Sequence, residues 1–224
     1  MLVKESLLVG DRIIYQDDDL YRFTSDAVLL SRFASVKKGD VVADFCSGSG
    51  IVGIHLYLIS SGKAKSVTLF EMQKPLHDLA VMTVKENGIS EVVTPVNCKV
   101  QDIGSEYREK FSLITCNPPY RVVGTGEENE KEEIALCRTE KALTLKELCV
   151  AAAKALKFGG RFAISHRADR LSDVIYNMKI NAIEPKRLQF VYSGSSKTPY
   201  LLLLEGVKGG KPDLKILENL RNGE

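Results

Sequence analysis

The run Asp44-Phe45-Cys46-Ser47-Gly48-Ser49-Gly50-Ile51-Val52-Gly53 is a glycine-rich turn between a strand and a helix, and few folds accommodate one there. The residues before it, Val41-Val42-Ala43-Asp44-Phe45, read as a buried strand, and Ile51 to Ile59 reads as an apolar helix. Gly-x-Gly-x-x-Gly at such a junction lets a backbone approach a ligand closely and lets the helix pack tightly on the sheet. Glu71 closes the next predicted strand, Ser66 to Phe70, 21 residues beyond Gly50. This places a ligand site at the carboxyl ends of parallel strands.

The rest of the chain repeats the alternation. A helix is predicted from Gln73 to Asn87, strands from Glu91 to Val96 and from Phe111 to Cys116, and a helix from Thr144 to Leu156 closed by Phe158-Gly159-Gly160. A strand from Arg161 to His166 and a helix from Asp169 to Lys179 follow. The last two predicted strands, Lys186 to Tyr192 and Pro199 to Glu205, have no helix between them, so one must run antiparallel. The expected fold is α/β, a doubly wound Rossmann-like sheet of seven strands, mostly parallel with one antiparallel strand. Residues 1–224 read as one domain, with 1–38 a segment ahead of the glycine turn.

Asp44 narrows the ligand. A dinucleotide lays an anionic pyrophosphate on such a turn, and a carboxylate at the end of the strand opposes it. S-adenosylmethionine carries an ammonium and a sulfonium instead, which an acid attracts. Gly48 and Gly50 allow close approach, Glu71 suits two ribose hydroxyls, and Asp102, after the third strand, is a candidate acceptor for the adenine amino group or a helix N-cap.

Asn117-Pro118-Pro119-Tyr120 ends an apolar strand at the same edge of the sheet. An amino group on an aromatic base is a poor nucleophile because its lone pair is delocalised into the ring. Two acceptors aimed at its protons, the Asn117 side-chain oxygen and the Pro118 carbonyl, stabilise the charge that develops during attack. Proline holds that carbonyl in place, and Tyr120 offers a ring on which a base stacks.

Composition adds exclusions. No apolar run approaches the ~18 residues of a membrane helix, and charges interrupt the amino terminus before a secretory signal could form, so a cytoplasmic protein is expected. The five cysteines and three histidines are scattered, without the pairing of a zinc or disulfide framework; no metal is expected. Net charge is only +2. Lys157 to Glu224 nevertheless carries 12 Lys/Arg against 7 Asp/Glu, a local +5, and Arg167, Arg170, Lys186, Arg187, Lys208 and Lys211 are the candidate contacts to nucleic-acid phosphates.

Asp44 to Gly50 together with Asn117-Pro118-Pro119-Tyr120 is similar to the class I amino-methyltransferases. The stretch from Asp19 to Leu30, Gly159-Gly160-Arg161-Phe162, His166 to Leu171, Lys186 to Val191 and Glu205 to Pro212 resemble the bacterial tRNA (adenine-N6)-methyltransferases that act on position 37 of valine tRNA, in their Gram-positive-type branch. The resemblance implies S-adenosylmethionine as cofactor, held by Asp44, Cys46, Gly48, Gly50, Glu71, Asp102 and Asn117. It implies catalysis by Asn117, Pro118 and Tyr120, and the tRNA anticodon stem-loop as partner. Cys46 departs from the superfamily's usual first glycine, and Lys197-Thr198-Pro199-Tyr200 departs from the small or amide residues expected there. Guanine N2, cytosine N4 and a protein glutamine amide are the alternative acceptors; the glutamine enzymes usually carry a sizeable helical domain ahead of the turn, where this chain has about 40 residues.

Overall fold

Strands that are apolar on both faces require helices on both sides, and that is the architecture of the computed structural model, which describes residues 1–118 and 143–222. An amino-terminal hairpin, β1 (Leu2–Ser6) and β2 (Ile13–Asp17), leads to helix α1 (Ser25–Phe33). Then follow β3 (Val41–Phe45), α2 (Ile51–Ile59), β4 (Ser66–Glu71), α3 (Lys74–Glu86), β5 (Val93–Asn97) and β6 (Phe111–Cys116). Beyond residue 143 come α4 (Leu145–Ala155), β7 (Leu156–Arg167), α5 (Leu171–Ile180), β8 (Ile183–Ser193) and β9 (Pro199–Lys208).

The seven expected strands are present in the order β8-β9-β7-β6-β3-β4-β5, and β9 is the antiparallel one, running against both β7 and β8. Two short strands the sequence did not announce, β10 (Lys215–Ile216) and β11 (Leu220–Asn222), pair with the outer edge of β8. Alternation along β3 divides the core. Val42 packs with Leu30, Ile54 and Val84 of α1, α2 and α3, whereas Ala43 and Phe45 face Leu148 and Ala152 of α4 and Met178 of α5. Among the described residues no helix is long and apolar enough to cross a membrane.

One junction differs from the expectation. Helix α4 starts at a capping box, in which the Thr144 hydroxyl accepts from the Glu147 N–H and the Glu147 carboxylate accepts from the Thr144 N–H. It ends at Ala155, and Leu156 already pairs with Phe111, so the glycine pair is no helix cap. The register then jumps to Leu113 opposite Arg161, so residues 157–160 loop out of β7. Gly159 has φ +73°, and a Cβ on Gly160 would lie 2.8 Å from the Lys157 carbonyl oxygen. The glycines allow a bulge within a strand.

Residues 1–38 form the hairpin and α1. The hairpin is fastened to the end of α3: the Asn87 side chain accepts from Ile13 N–H (3.1 Å) and donates to Ile13 C=O (2.7 Å), and Tyr15 N–H donates to the Thr83 hydroxyl (3.0 Å). At the amino ends of the sheet strands, Arg161 on β7 donates to the buried Asp40 carboxylate (2.5 Å) and to the carbonyl of Ser35 nearer the surface. Asp40 also accepts from Lys37 N–H and the Ser112 hydroxyl; burial pushes its carboxyl up, but these bonds and the guanidinium together hold it below the usual carboxylate range.

Candidate active site

The glycine turn, the end of β4 and the end of β6 meet at the carboxyl edge of the sheet and enclose a cavity whose lining includes Cys46, Gly48, Glu71, Gln101 and Asn117. The turn is shaped by backbone no bulky residue would favour. Gly50, the N-cap of α2, has φ +90°, and a Cβ there would lie 2.8 Å from Ile54 Cδ1. Gly53 lets α2 settle on the sheet, since a Cβ would fall 2.4 Å from Leu69 Cδ2. Cys46, which stands where glycine was expected, takes φ +55°, a left-handed backbone that disfavours side chains.

Glu71 anchors the turn from β4. One carboxylate oxygen accepts from Gly48 N–H and the other from Gln73 N–H, both at 2.8 Å. The Met72 N–H acts on the carboxylate as well, and the acceptor capacity that remains suits a hydroxyl at the cavity wall. Burial raises its pKa above the ordinary value, against those backbone bonds.

Asp44 is placed differently from its expected role. It is fully buried beneath the turn and does not line the cavity; its two oxygens accept from Gly53 N–H (2.9 Å) and the Thr115 hydroxyl (2.8 Å). It therefore braces strand, turn and helix. Burial first, and the Glu71 charge in addition, push its pKa up to about 7 against those two bonds. An unfolded chain ionises an aspartate near pH 4. The folded state thus holds a proton that the unfolded state has lost, and stability from this residue falls as pH rises from about 4 to about 7, then levels. Asp44→Asn should gain thermal midpoint relative to the parent protein across that window, with a constant difference above it. A pH-independent difference would rule out the buried proton.

Asn117 leaves β6 beside β7, and its Oδ1 accepts a 2.7 Å hydrogen bond from Ser165, a buried residue the sequence reading did not single out. Only cross-strand register, Cys116 opposite Ile164, brings the two together. Pro118 is buried next to it. Tyr120 and the segment from Arg121 to Glu140 lie outside the described residues. Asp102 sits on an exposed single turn and is not in the cavity lining, whereas its neighbour Gln101 is. Two aromatic residues of the Asp19 to Leu30 stretch to which the sequence assigned no site role, Tyr21 and Phe23, complete the wall ahead of α1.

The six basic candidates are divided between the two ends of the sheet. Arg167 ends β7 at the carboxyl edge of the sheet, outside the cavity lining, with Arg170 just beyond it; their partners are Asp169 and Asp173. Lys208 pairs opposite Ile183 at the other end of the sheet, and Lys186, Arg187 and Lys211 lie near it. Along β9, seven residues, ~23 Å of strand, separate Lys208 from Leu201, the residue that pairs with Arg167. Arg187 is also occupied within the fold, donating to Ser35 and Glu205 and lying 4.7 Å over the Phe33 ring. The Lys208 ammonium donates to Glu109 and the Leu156 carbonyl.

The methyltransferase small domain family matches residues 24–178, most of the chain and every element of the cavity but Tyr21 and Phe23. The chain belongs to that family. A tRNA1(Val) (adenine(37)-N6)-methyltransferase from Flavobacteriaceae bacterium (strain 3519-10) is 26% identical to this methyltransferase over 151 residues, 67% of this chain and 62% of that protein. One of the same name from Haemophilus influenzae (strain PittGG) is 26% identical over 204 residues, 87% and 81% of the two chains. Among solved structures, a predicted O-methyltransferase from Agrobacterium tumefaciens superposes with TM-score 0.67 at 17% identity, covering 89% of each chain. The Methanocaldococcus jannaschii tRNA m1G37 methyltransferase, at 0.65 and 16%, covers 94% of this chain and 55% of its own. At such identities the solved structures establish the shared class I methyltransferase fold.

Proposed function

We propose that this methyltransferase transfers a methyl group from S-adenosylmethionine to the N6 amino group of adenine in tRNA, at adenosine 37 of valine tRNA. The observation that carries the reading is the pairing of a glycine turn over two buried carboxylates with Asn117 on the same cavity wall. The donor set fits the cofactor. Glu71, on the cavity wall, is held above its ordinary pKa by burial, so a cation arriving at this turn stabilises its ionised form. Glu71 would take the ribose hydroxyls, and the backbone of Gly48 and Gly50 the methionine end. Bound there, S-adenosylmethionine supplies an electrophilic methyl group.

The chain supplies the rest. The Asn117 oxygen and the Pro118 carbonyl accept from the two amino protons, drawing the nitrogen toward a pyramidal shape that frees its lone pair. No general base is needed, because the proton becomes acidic once the nitrogen is cationic. Tyr120 is assigned to stack on the extruded base; an anticodon loop allows such extrusion at modest energy. Arg167 and Arg170, beyond the end of β7 at the same edge of the sheet as the cavity, are assigned to phosphates of the anticodon stem-loop. The adenine N6 and position 37 assignments rest on the names shared by the relatives and on the sequence stretches that resemble the Gram-positive-type branch.

The test uses tRNA lacking the modification and labelled cofactor. Label is expected in N6-methyladenosine at position 37. Label in another nucleoside would move the substrate, and label in a protein glutamine would move the reaction class. Calorimetry should show binding of S-adenosylmethionine, with a raised thermal midpoint by mass action, and no binding of NAD. The reverse result would sink the cofactor assignment.

A further inference from the structure

We propose that Ser165 is a positioning residue for the transfer step, selecting the orientation of the Asn117 amide that presents Oδ1 as an acceptor. The inference rests on the reading of Asn117 given above.

An asparagine amide has two ends of nearly equal shape and opposite hydrogen-bonding sense. A half-turn about its last side-chain bond exchanges an acceptor for a donor. An –NH2 presented where the acceptor belongs would oppose the amino group of the base with another donor. Something must therefore distinguish the two ends, and a solvated cavity wall does not.

Ser165 can. It is fully buried on β7, in the interior of the sheet, and its hydroxyl donates to Asn117 Oδ1 at 2.7 Å. Its hydrogen bond to Asn117 is the one recorded for that hydroxyl among the described residues. With the amide turned over, Nδ2 would face the hydroxyl and donate to it. The hydroxyl proton would then lack its acceptor inside the protein, a penalty that buried donors rarely carry. The observed orientation satisfies both groups, and one Oδ1 lone pair stays free for the substrate. The bond also reaches across the β6–β7 pair, so the amide is tied to a neighbouring strand rather than to the segment that follows it.

A carboxylate has no such ambiguity, because both ends accept. That gives a test that a purely structural role would not pass. Ser165→Ala should lower kcat about tenfold, the scale of one misplaced polar contact, with KM for tRNA and cofactor affinity within about twofold. Ser165→Thr, which keeps the hydroxyl on a residue type suited to strands, should recover most of it. In an Asn117→Asp background the Ser165→Ala change should alter kcat less than about twofold. Equal penalties in the two backgrounds, or full activity in Ser165→Ala alone, would overturn the assignment.

A second readout needs no substrate. The side-chain amide resonances of Asn117, identified by their loss in Asn117→Asp, should form one sharp pair in the parent protein. They should split or broaden in Ser165→Ala as both orientations become populated. An unchanged pair overturns the proposal. If the parent protein labels no tRNA nucleoside, the substrate reading fails, and these resonances still decide whether Ser165 orients the amide.

Discussion

Asn117→Ala should reduce turnover by at least ~100-fold, the scale of losing one preorganised contact to developing charge, while S-adenosylmethionine binds nearly as before. The side chain stands on the wall of the cavity, and the elements that fix the turn, Glu71 on Gly48 and Asp44 on Gly53, do not depend on it. The loss should thus appear in kcat, with cofactor affinity little changed. Asn117→Asp should keep more activity, since a carboxylate still accepts from an amino group. Single-turnover methylation and calorimetry on the two variants separate the effects. An alanine variant with near-parental turnover would remove Asn117 from the reaction.

Arg161→Ala should lower the free energy of unfolding by roughly 3–5 kcal/mol, the range for breaking one side of a buried ion pair. Both side chains are only 8% exposed, so water does not replace the missing partner. The guanidinium also satisfies the Ser35 carbonyl, and through Asp40 it is linked to Lys37 N–H and Ser112. One side chain thus joins β7 to the segment between α1 and β3 and, through Asp40 and Ser112, to β6. Urea denaturation followed by circular dichroism reads the change, and Asp40→Asn combined with Arg161→Met should recover part of it by removing both charges together. A loss under about 1 kcal/mol would mean that the pair behaves like a surface salt bridge. Arg161 lies in one of the stretches that carry the family resemblance, and the structure gives it a fold-supporting reason for being there.

Much of this fold is legible in the sequence because its strands are buried on both faces and read as continuous apolar runs. Val41–Phe45 and Phe111–Cys116 could hardly be anything else, and the two motifs follow directly from where those runs stop. The hairpin is not legible. Leu2–Ser6 alternates only between exposed and half-buried positions, and what holds the hairpin in place is Asn87, more than seventy residues away. The short pairing of β10 and β11 on β8 gives no periodic signal at two and three residues.

The site divides in the same way. Residue type and spacing located the turn, Glu71 and Asn117, but they do not say which way a side chain points. Asp44 is of the expected type and faces inward beneath the turn. Ser165 meets Asn117 only through strand register. The basic residues look like one cluster along the sequence, yet the antiparallel return of β9 carries Lys208 back to the end of the sheet opposite Arg167.

The cavity wall supplied by Tyr21 and Phe23 has a consequence for how the protein is made. Phe23 is held by the Gln16 side chain on β2, and β2 in turn docks on Thr83 and Asn87 at the end of α3. During synthesis the hairpin leaves the ribosome long before α3 exists to receive it. The hairpin can therefore be seated only once residues 74–87 have emerged, and until then the nascent chain carries Ile14 and Tyr15, both destined for the interior, without cover. Chain growth sets an order of assembly in which the wall waits for α3, which itself emerges before β5 to β9, so a nascent chain halted before α3 emerges would lack the surface on which that wall is built.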